Sequence, residues 1–206
     1  MAIITGQQTT FFDAFGFLRI EGLFADQIEE VAEAFDPLPL TVGPDRIGGH
    51  PAFAELAHDD RVVGIARSVL GDGVECTGVG GDPGGCRHRC HADGAGGSRS
   101  QRHVVISLVL HPLRADCGAM RVIPGTHHPQ NSYAQDLHRL LGQFGEPSDA
   151  FGVESDAIPA TVIEADPGDV LVWDGDLIHL ASNGPNRRRL LSVGFRAPPV
   201  PSGSER

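Results

Sequence analysis

Arg61-Val62-Val63-Gly64-Ile65-Ala66-Arg67-Ser68-Val69-Leu70, then Gly71-Asp72-Gly73, then Val74-Glu75-Cys76-Thr77-Gly78-Val79, is where the chain changes its period. The first segment reads as a helix, and the Gly-Asp-Gly after it is a stop, because glycine readily takes the left-handed conformation that ends helices. From Val74 onward the apolar residues fall in short, β-branched runs punctuated by Gly, Pro and Asp. Helices before this point and strands after it predict an α+β domain whose core is a β-sandwich or jelly roll.

Upstream, Thr9 or Thr10 is the expected cap of a first helix, with Phe11, Phe12 and Phe15 as its apolar side. Gly16 to Ile20 reads as extended. In Asp26 to Phe35, the residues Ile28, Val31, Ala32 and Phe35 fall at i, i+3, i+4 and i+7, which is one buried helical face. Residues 36 to 50, rich in Pro and Gly, read as a loop. Downstream, strands are expected at Val74–Val79, His103–Leu110, Ala119–Ile123, Ala160–Glu164, Asp169–Trp173 and Arg188–Phe195, with a helical insertion near Ser132 to Leu141. The expected organisation is a single domain over 1–206. It comprises a helical part over about 1–72, a jelly-roll core over about 73–197 and a flexible tail over 198–206.

A formal charge of −11 argues against general affinity for nucleic acid or an anionic membrane, either of which needs a basic face. The chain has 16 basic side chains and no lysine, so all are arginine, and any side-chain clamp for a carboxylate must use arginine, serine or threonine. Glycine, 27 of 206 residues, is abundant, as suits many short strands and tight turns. Neither a signal peptide nor a membrane-length apolar run is legible, so a soluble, cytoplasmic protein with its four cysteines reduced is expected.

Chemistry concentrates in Cys86-Arg87-His88-Arg89-Cys90-His91-Ala92-Asp93-Gly94. On an extended strand, His91 and Asp93 would share a face and converge as two ligands of a metal. The best third ligand is His179, in Leu177-Ile178-His179-Leu180. Two histidines and one carboxylate with open positions form the facial triad of non-haem Fe(II) oxygenases. A jelly roll, which sets sequence-distant strands side by side, could bring His179 to the other two.

Several blander readings stand beside this one. His58-Asp59-Asp60 repeats the His-x-Asp pattern at a helix start, where i and i+2 do not share a face. Cys86, His88, Cys90 and His91 could form a compact zinc site, although structural zinc usually draws on two separated knuckles. His127 and His128 could touch substrate from a turn. Trp173 reads as core, and Arg114 and Arg121 as solvated charges.

Four pieces carry a resemblance along most of the chain. They are Phe11-Phe12 through Glu21-Gly22-Leu23; His91-Ala92-Asp93; Asp116-Cys117-Gly118-Ala119-Met120-Arg121-Val122-Ile123-Pro124-Gly125-Thr126-His127; and Pro167-Gly168-Asp169-Val170-Leu171-Val172-Trp173 continuing to His179 and Arg187-Arg188-Arg189-Leu190-Leu191-Ser192. The chain resembles the phytanoyl-CoA dioxygenase family of Fe(II)/2-oxoglutarate-dependent oxygenases. The resemblance implies a double-stranded β-helix with Fe(II) on His91, Asp93 and His179. It implies that an arginine within Arg187-Arg188-Arg189 holds the far carboxylate of 2-oxoglutarate. Arg188 is preferred because it shares a face with Leu190 and Ser192 by period two; Arg189 is the alternative. Ser107, if it faces inward, could hydrogen-bond the cosubstrate.

The implied activity is that of a dioxygenase using O2 to oxidise, chiefly to hydroxylate, a small-molecule substrate. Desaturation, cyclisation and epimerisation use the same iron, and a non-catalytic jelly-roll binding protein is the alternative of another class. Related halogenases replace the carboxylate ligand with a small residue, so Asp93 argues against halogenation. The missing lysines and modest length fit a bacterial enzyme of secondary metabolism. Cys90 stands where an aromatic residue is common in the family.

Overall fold

The computed structural model describes residues 3–38, 47, 49–82, 90–96, 101–144, 147–154, 157–181 and 188–198. Cys86, His88, Arg187 and the tail beyond residue 198 therefore lie outside the described residues.

Two antiparallel sheets face one another. The larger runs β1 (Phe17–Ile20), β6 (Val170–Asp174), β3 (His103–Val109), β8 (Leu190–Arg196), β2 (Glu75–Asp82) in that spatial order. The smaller runs β5 (Thr161–Ile163), β4 (Met120–Val122), β7 (His179–Ala181). Each sheet mixes strands distant in sequence, as a double-stranded β-helix requires. Side-chain alternation divides the large sheet into two faces. Val104, Ile106, Leu108, Val170, Val172, Leu191, Val193 and Phe195 pack outward against the N-terminal helices, whereas Val109, Leu171, Trp173 and Leu190 pack inward against Met120, Val122 and Ile163 of the small sheet. The far side of the small sheet is covered by α5 (Ser132–Phe144), whose Leu137 and Leu141 meet Ile123, Ile178 and Leu180.

The helices on the outer face are α1 (Gly6–Phe15), α2 (Ile28–Phe35), the short α3 (Pro51–Ala54) and α4 (Asp60–Leu70); α6 (Pro147–Phe151) follows α5. The cap of α1 is Thr5, not Thr9 or Thr10. Thr5 and Gln8 form a reciprocal capping box, and the later threonines bond back to the carbonyls of Thr5 and Gly6. Of the three phenylalanines assigned to the apolar side of α1, only Phe12 is buried; Phe11 and Phe15 are exposed, with their rings 4.7 Å apart and inclined by 51°. Asp59 caps α4 through the Arg61 amide at 2.8 Å, which explains the second His-x-Asp as a helix start. Gly71 ends α4 at φ +89°, as the Gly-Asp-Gly stop predicts.

Asp169, buried at the turn before β6, ties the N-terminal strand into the sheet. Its carboxylate accepts from Arg19 Nε at 2.9 Å, the Gly22 amide at 2.8 Å and the Asp166 amide at 2.9 Å. Among the described residues, no helix is long and apolar enough to cross a membrane.

Candidate metal centre

His91 and His179 are brought together by an isolated antiparallel bridge. The His91 amide donates to the His179 carbonyl at 3.0 Å, and the His179 amide to the His91 carbonyl at 2.8 Å. A directly opposed pair of this kind projects both side chains to one face, and the two rings lie 4.4 Å apart between centroids. Asp93 joins them by a different route from the one expected. It does not continue a strand but opens a 3₁₀ turn, Asp93–Gly96, which the Gly94 amide anchors to the Gly175 carbonyl at 2.8 Å. A bridge followed by a turn, rather than strand alternation, makes the convergence.

Asp93 Oδ1 lies 3.3 Å from His91 Nε2 and 3.9 Å from His179 Nε2, and the three donor atoms all fall within 4.8 Å of one another. Ligand atoms about 2.1 Å from a common ion and at right angles are roughly 3 Å apart, so this spacing suits one divalent cation. It is the one such group of three among the described residues.

The chemistry of the donors fits as well. His179 is almost fully buried, and its Nδ1 lies 3.0 Å from the Leu177 carbonyl. A carbonyl only accepts, so Nδ1 carries the proton and Nε2 presents its lone pair to the cluster. Burial pushes the His179 imidazole down to about 4, against the pull of Asp93, so it is neutral at pH 7. Burial alone would raise Asp93. Hydrogen bonds from His91 and Trp173 and the nearby His179 outweigh it and hold the carboxyl well below the usual range.

The segment carrying His179 is positioned by Thr126, a buried residue of the Pro124-Gly125-Thr126-His127 turn. Its hydroxyl donates to the Ile123 carbonyl at 2.7 Å and accepts from the Ile178 amide at 2.9 Å. The neighbouring histidines point away from the centre. His127 Nε2 is 3.1 Å from the Asp13 carbonyl and His128 Nε2 is 3.2 Å from the Ala14 carbonyl, so they hold the C-terminal end of α1 rather than a substrate. Gly16 gives His127 its room: a Cβ there would stand 2.5 Å from Nδ1.

Arg188 and Arg189 part company. Arg188 is buried, and Asp82 at the end of β2 receives its Nε at 2.7 Å and an Nη at 2.5 Å. Its charge helps to lower His179, so the two share one electrostatic neighbourhood. Arg189 turns to the helical side, donating to the carbonyls of Phe35 and Asp36, each at 3.2 Å. Ser107 lies on the inter-sheet face of β3, fully buried, with its hydroxyl 2.5 Å from that of Ser192. Arg114 and Arg121 are not purely solvated: they donate to the carbonyls of Ala165 and Ile158. Cys90 is buried with Ile123, Leu137 and Leu180.

Three residues of the site were not legible as such. Trp173, read as core, donates from Nε1 to Asp93 Oδ2 at 2.9 Å. Thr126 and Asp82 act through contacts with residues far away in the sequence. The only signal for Trp173 was its place on β6 two residues after Leu171, which put it on the inward face.

The comparisons agree with this architecture. The family model described as phytanoyl-CoA dioxygenase matches residues 45–189. No curated protein sequence matches the chain. Among solved structures, EctD from S. alaskensis in its apo form is similar at 22% identity with a TM-score of 0.71, over 100% of this chain and 82% of that one. Iron-bound HygX from Streptomyces hygroscopicus is similar at 20% identity and TM-score 0.72, over 94% and 87%. EvdO2 from Micromonospora carbonacea var. aurantiaca, complexed with 2-oxoglutarate, is similar at 16% identity and TM-score 0.66, over 98% and 95%.

Proposed function

The chain belongs to the phytanoyl-CoA dioxygenase family, and from that premise we propose that it is an Fe(II)- and 2-oxoglutarate-dependent oxygenase acting on a small organic molecule. The observation that carries this reading is the meeting of His91, Asp93 and His179 within 4.8 Å, one carboxylate and two imidazoles. That donor set is the facial triad of non-haem iron oxygenases. Bound Fe(II) supplies the oxidising chemistry, with 2-oxoglutarate and O2 as cosubstrates.

The chain's own residues do the rest. Asp93 contributes the negative charge, and His179 offers Nε2 because Leu177 engages Nδ1. Arg188 is the buried cation assigned to the far carboxylate of 2-oxoglutarate, oriented by Asp82. Arg189, engaged at the end of α2, is not assigned that role. Ser107 of β3 and Ser192 of β8 pair on the inter-sheet face, and Ser107 is the hydroxyl assigned to the cosubstrate. The aliphatic interior around Leu171 and Leu190 backs the cluster on the Trp173 side, while the His91 and Asp93 side chains, 37% and 31% exposed, leave it open to an incoming substrate.

Hydroxylation in bacterial secondary metabolism is the outcome we assign. Its support comes from similar proteins: HygX has been crystallised with hygromycin B and EctD with 5-hydroxyectoine, both small molecules. An exposed thiol at Cys76 suits a reducing compartment such as the cytoplasm.

The test is anaerobic addition of Fe(II) and then 2-oxoglutarate to metal-free protein. The expected result is the weak visible charge-transfer band of the chelate, lost in Asp93→Ala. A folded wild-type protein that forms no band overturns the reading.

A further inference from the structure

The two oxygens of Asp93 face different partners. Oδ1 points to His91 Nε2 and His179 Nε2, whereas Oδ2 accepts the indole N–H of Trp173 at 2.9 Å. Among the described residues, Trp173 is the hydrogen-bond donor to Oδ2. Its ring also lies against His179, with centroids 5.7 Å apart and planes inclined by 56°. The indole thus touches two of the three donors while adding no ligand atom of its own.

Its platform is rigid. Trp173 sits on β6, hydrogen-bonded on both sides in the large sheet, opposite Phe17 of β1 and Val105 of β3. Asp93, by contrast, opens a short 3₁₀ turn, and its side chain is 31% exposed. A carboxylate on such a turn can rotate and can offer one oxygen or two to a cation. The facial triad works with positions left open, and a carboxylate that chelates through both oxygens takes up one of them.

We propose that Trp173 is a positioning residue for the metal: its indole N–H holds Asp93 Oδ2 so that the carboxylate presents Oδ1 alone. This rests on the metal-centre reading above. A hydrogen bond that fixes a ligating carboxylate is worth roughly 10- to 100-fold in metal affinity. The role belongs to the N–H and not to the bulk of the ring, so removing the N–H while keeping the shape separates positioning from packing.

Co(II) serves as the probe, because its visible spectrum reports coordination number. Metal-free wild-type protein, Trp173→Phe and a protein with benzothienylalanine at position 173 are titrated with Co(II). Benzothienylalanine keeps the bicyclic outline and replaces only the N–H. Both altered proteins should retain the far-ultraviolet dichroism of the wild type, bind Co(II) roughly 10- to 100-fold more weakly, and give a changed visible spectrum as the carboxylate chelates. Wild-type affinity and spectrum in the benzothienylalanine protein would overturn the proposal, even if Trp173→Phe were impaired, because the ring would then act by packing alone. Failure of the wild type to bind Co(II) in an Asp93-dependent way would remove the metal centre itself, and the proposal with it. Trp173 is the only tryptophan, so quenching of its fluorescence by Co(II) gives an independent measure of occupancy in the wild type.

Discussion

The two faces of β3 are built from alternating residues of one seven-residue strand, yet they follow different rules. Val104, Ile106 and Leu108 look outward into the helical layer, among Phe12, Phe35, Phe53 and Ile65, and every one of these side chains is apolar. Val105, Ser107 and Val109 look inward, toward the space shared with Trp173, Ser192 and the metal-ligand cluster. The outward face coheres by area removed from water, which is indifferent to direction. The inward face adds directed partners to its own apolar cluster: Ser107 on Ser192, Asp93 on Trp173, Arg188 on Asp82. One strand therefore separates a face that is core alone from a face that combines core with the directed contacts of the candidate site.

That separation can be broken experimentally. Ile106→Ala, at a site 1% exposed, should cost about 3 kcal/mol in denaturant unfolding through transfer loss and cavity formation. The surviving folded protein should bind metal with unchanged affinity; a coupled loss of both would show that the faces are not independent. Arg188→Lys keeps a charge but gives up the planar fork, and should weaken 2-oxoglutarate by about 2 kcal/mol, ~30-fold in KM. Arg189→Lys should leave that KM within about twofold, since its partners are Phe35 and Asp36 at the C-terminal end of α2. The reverse ranking would move the carboxylate site to the other side of the sheet.

The smallest expected effect is the most informative about the inner face. Ser107→Ala leaves the half-buried Ser192 hydroxyl without its partner and should cost about 1 kcal/mol of stability. Ser107→Ala/Ser192→Ala, removing both, should recover most of it, and a double-mutant cycle reads the coupling. A rise in the 2-oxoglutarate KM shared by Ser107→Ala and the double variant but absent from Ser192→Ala would assign the Ser107 hydroxyl to the cosubstrate as well.

The outward face was the legible one. Runs such as Val104 to Leu110 and the helical spacing of Ile28, Val31 and Phe35 declare themselves because burial leaves a local period. The candidate ligands were singled out less by the His-x-Asp pair, which His58-Asp59-Asp60 repeats, than by the longer motifs that surround His91, Asp93 and His179. How they meet was not legible. β7 is only three residues long and is covered on both sides, so Ile178, His179 and Leu180 carry no alternation to read. Asp93 lies in a turn set by the distant Gly175 carbonyl, and Trp173 shows its polar edge only once β6 stands beside that turn. The misassigned cap of α1 has a local cause. Thr5, Thr9 and Thr10 all have a hydroxyl that can bond to a nearby backbone group, and only Gln8, three residues beyond Thr5, distinguishes the true cap.

The bridge between His91 and His179 joins positions 91 and 179, 88 residues apart along the chain. In kinetic terms such contacts are the slow ones, because the entropy of closing a long loop must be overcome before the contact gives anything back. Neither segment alone contains the three donors, and neither sheet alone brings them together. A chain in which these segments have not yet met lacks the complete set of candidate ligands, and the onset of metal binding in refolding would time their closure.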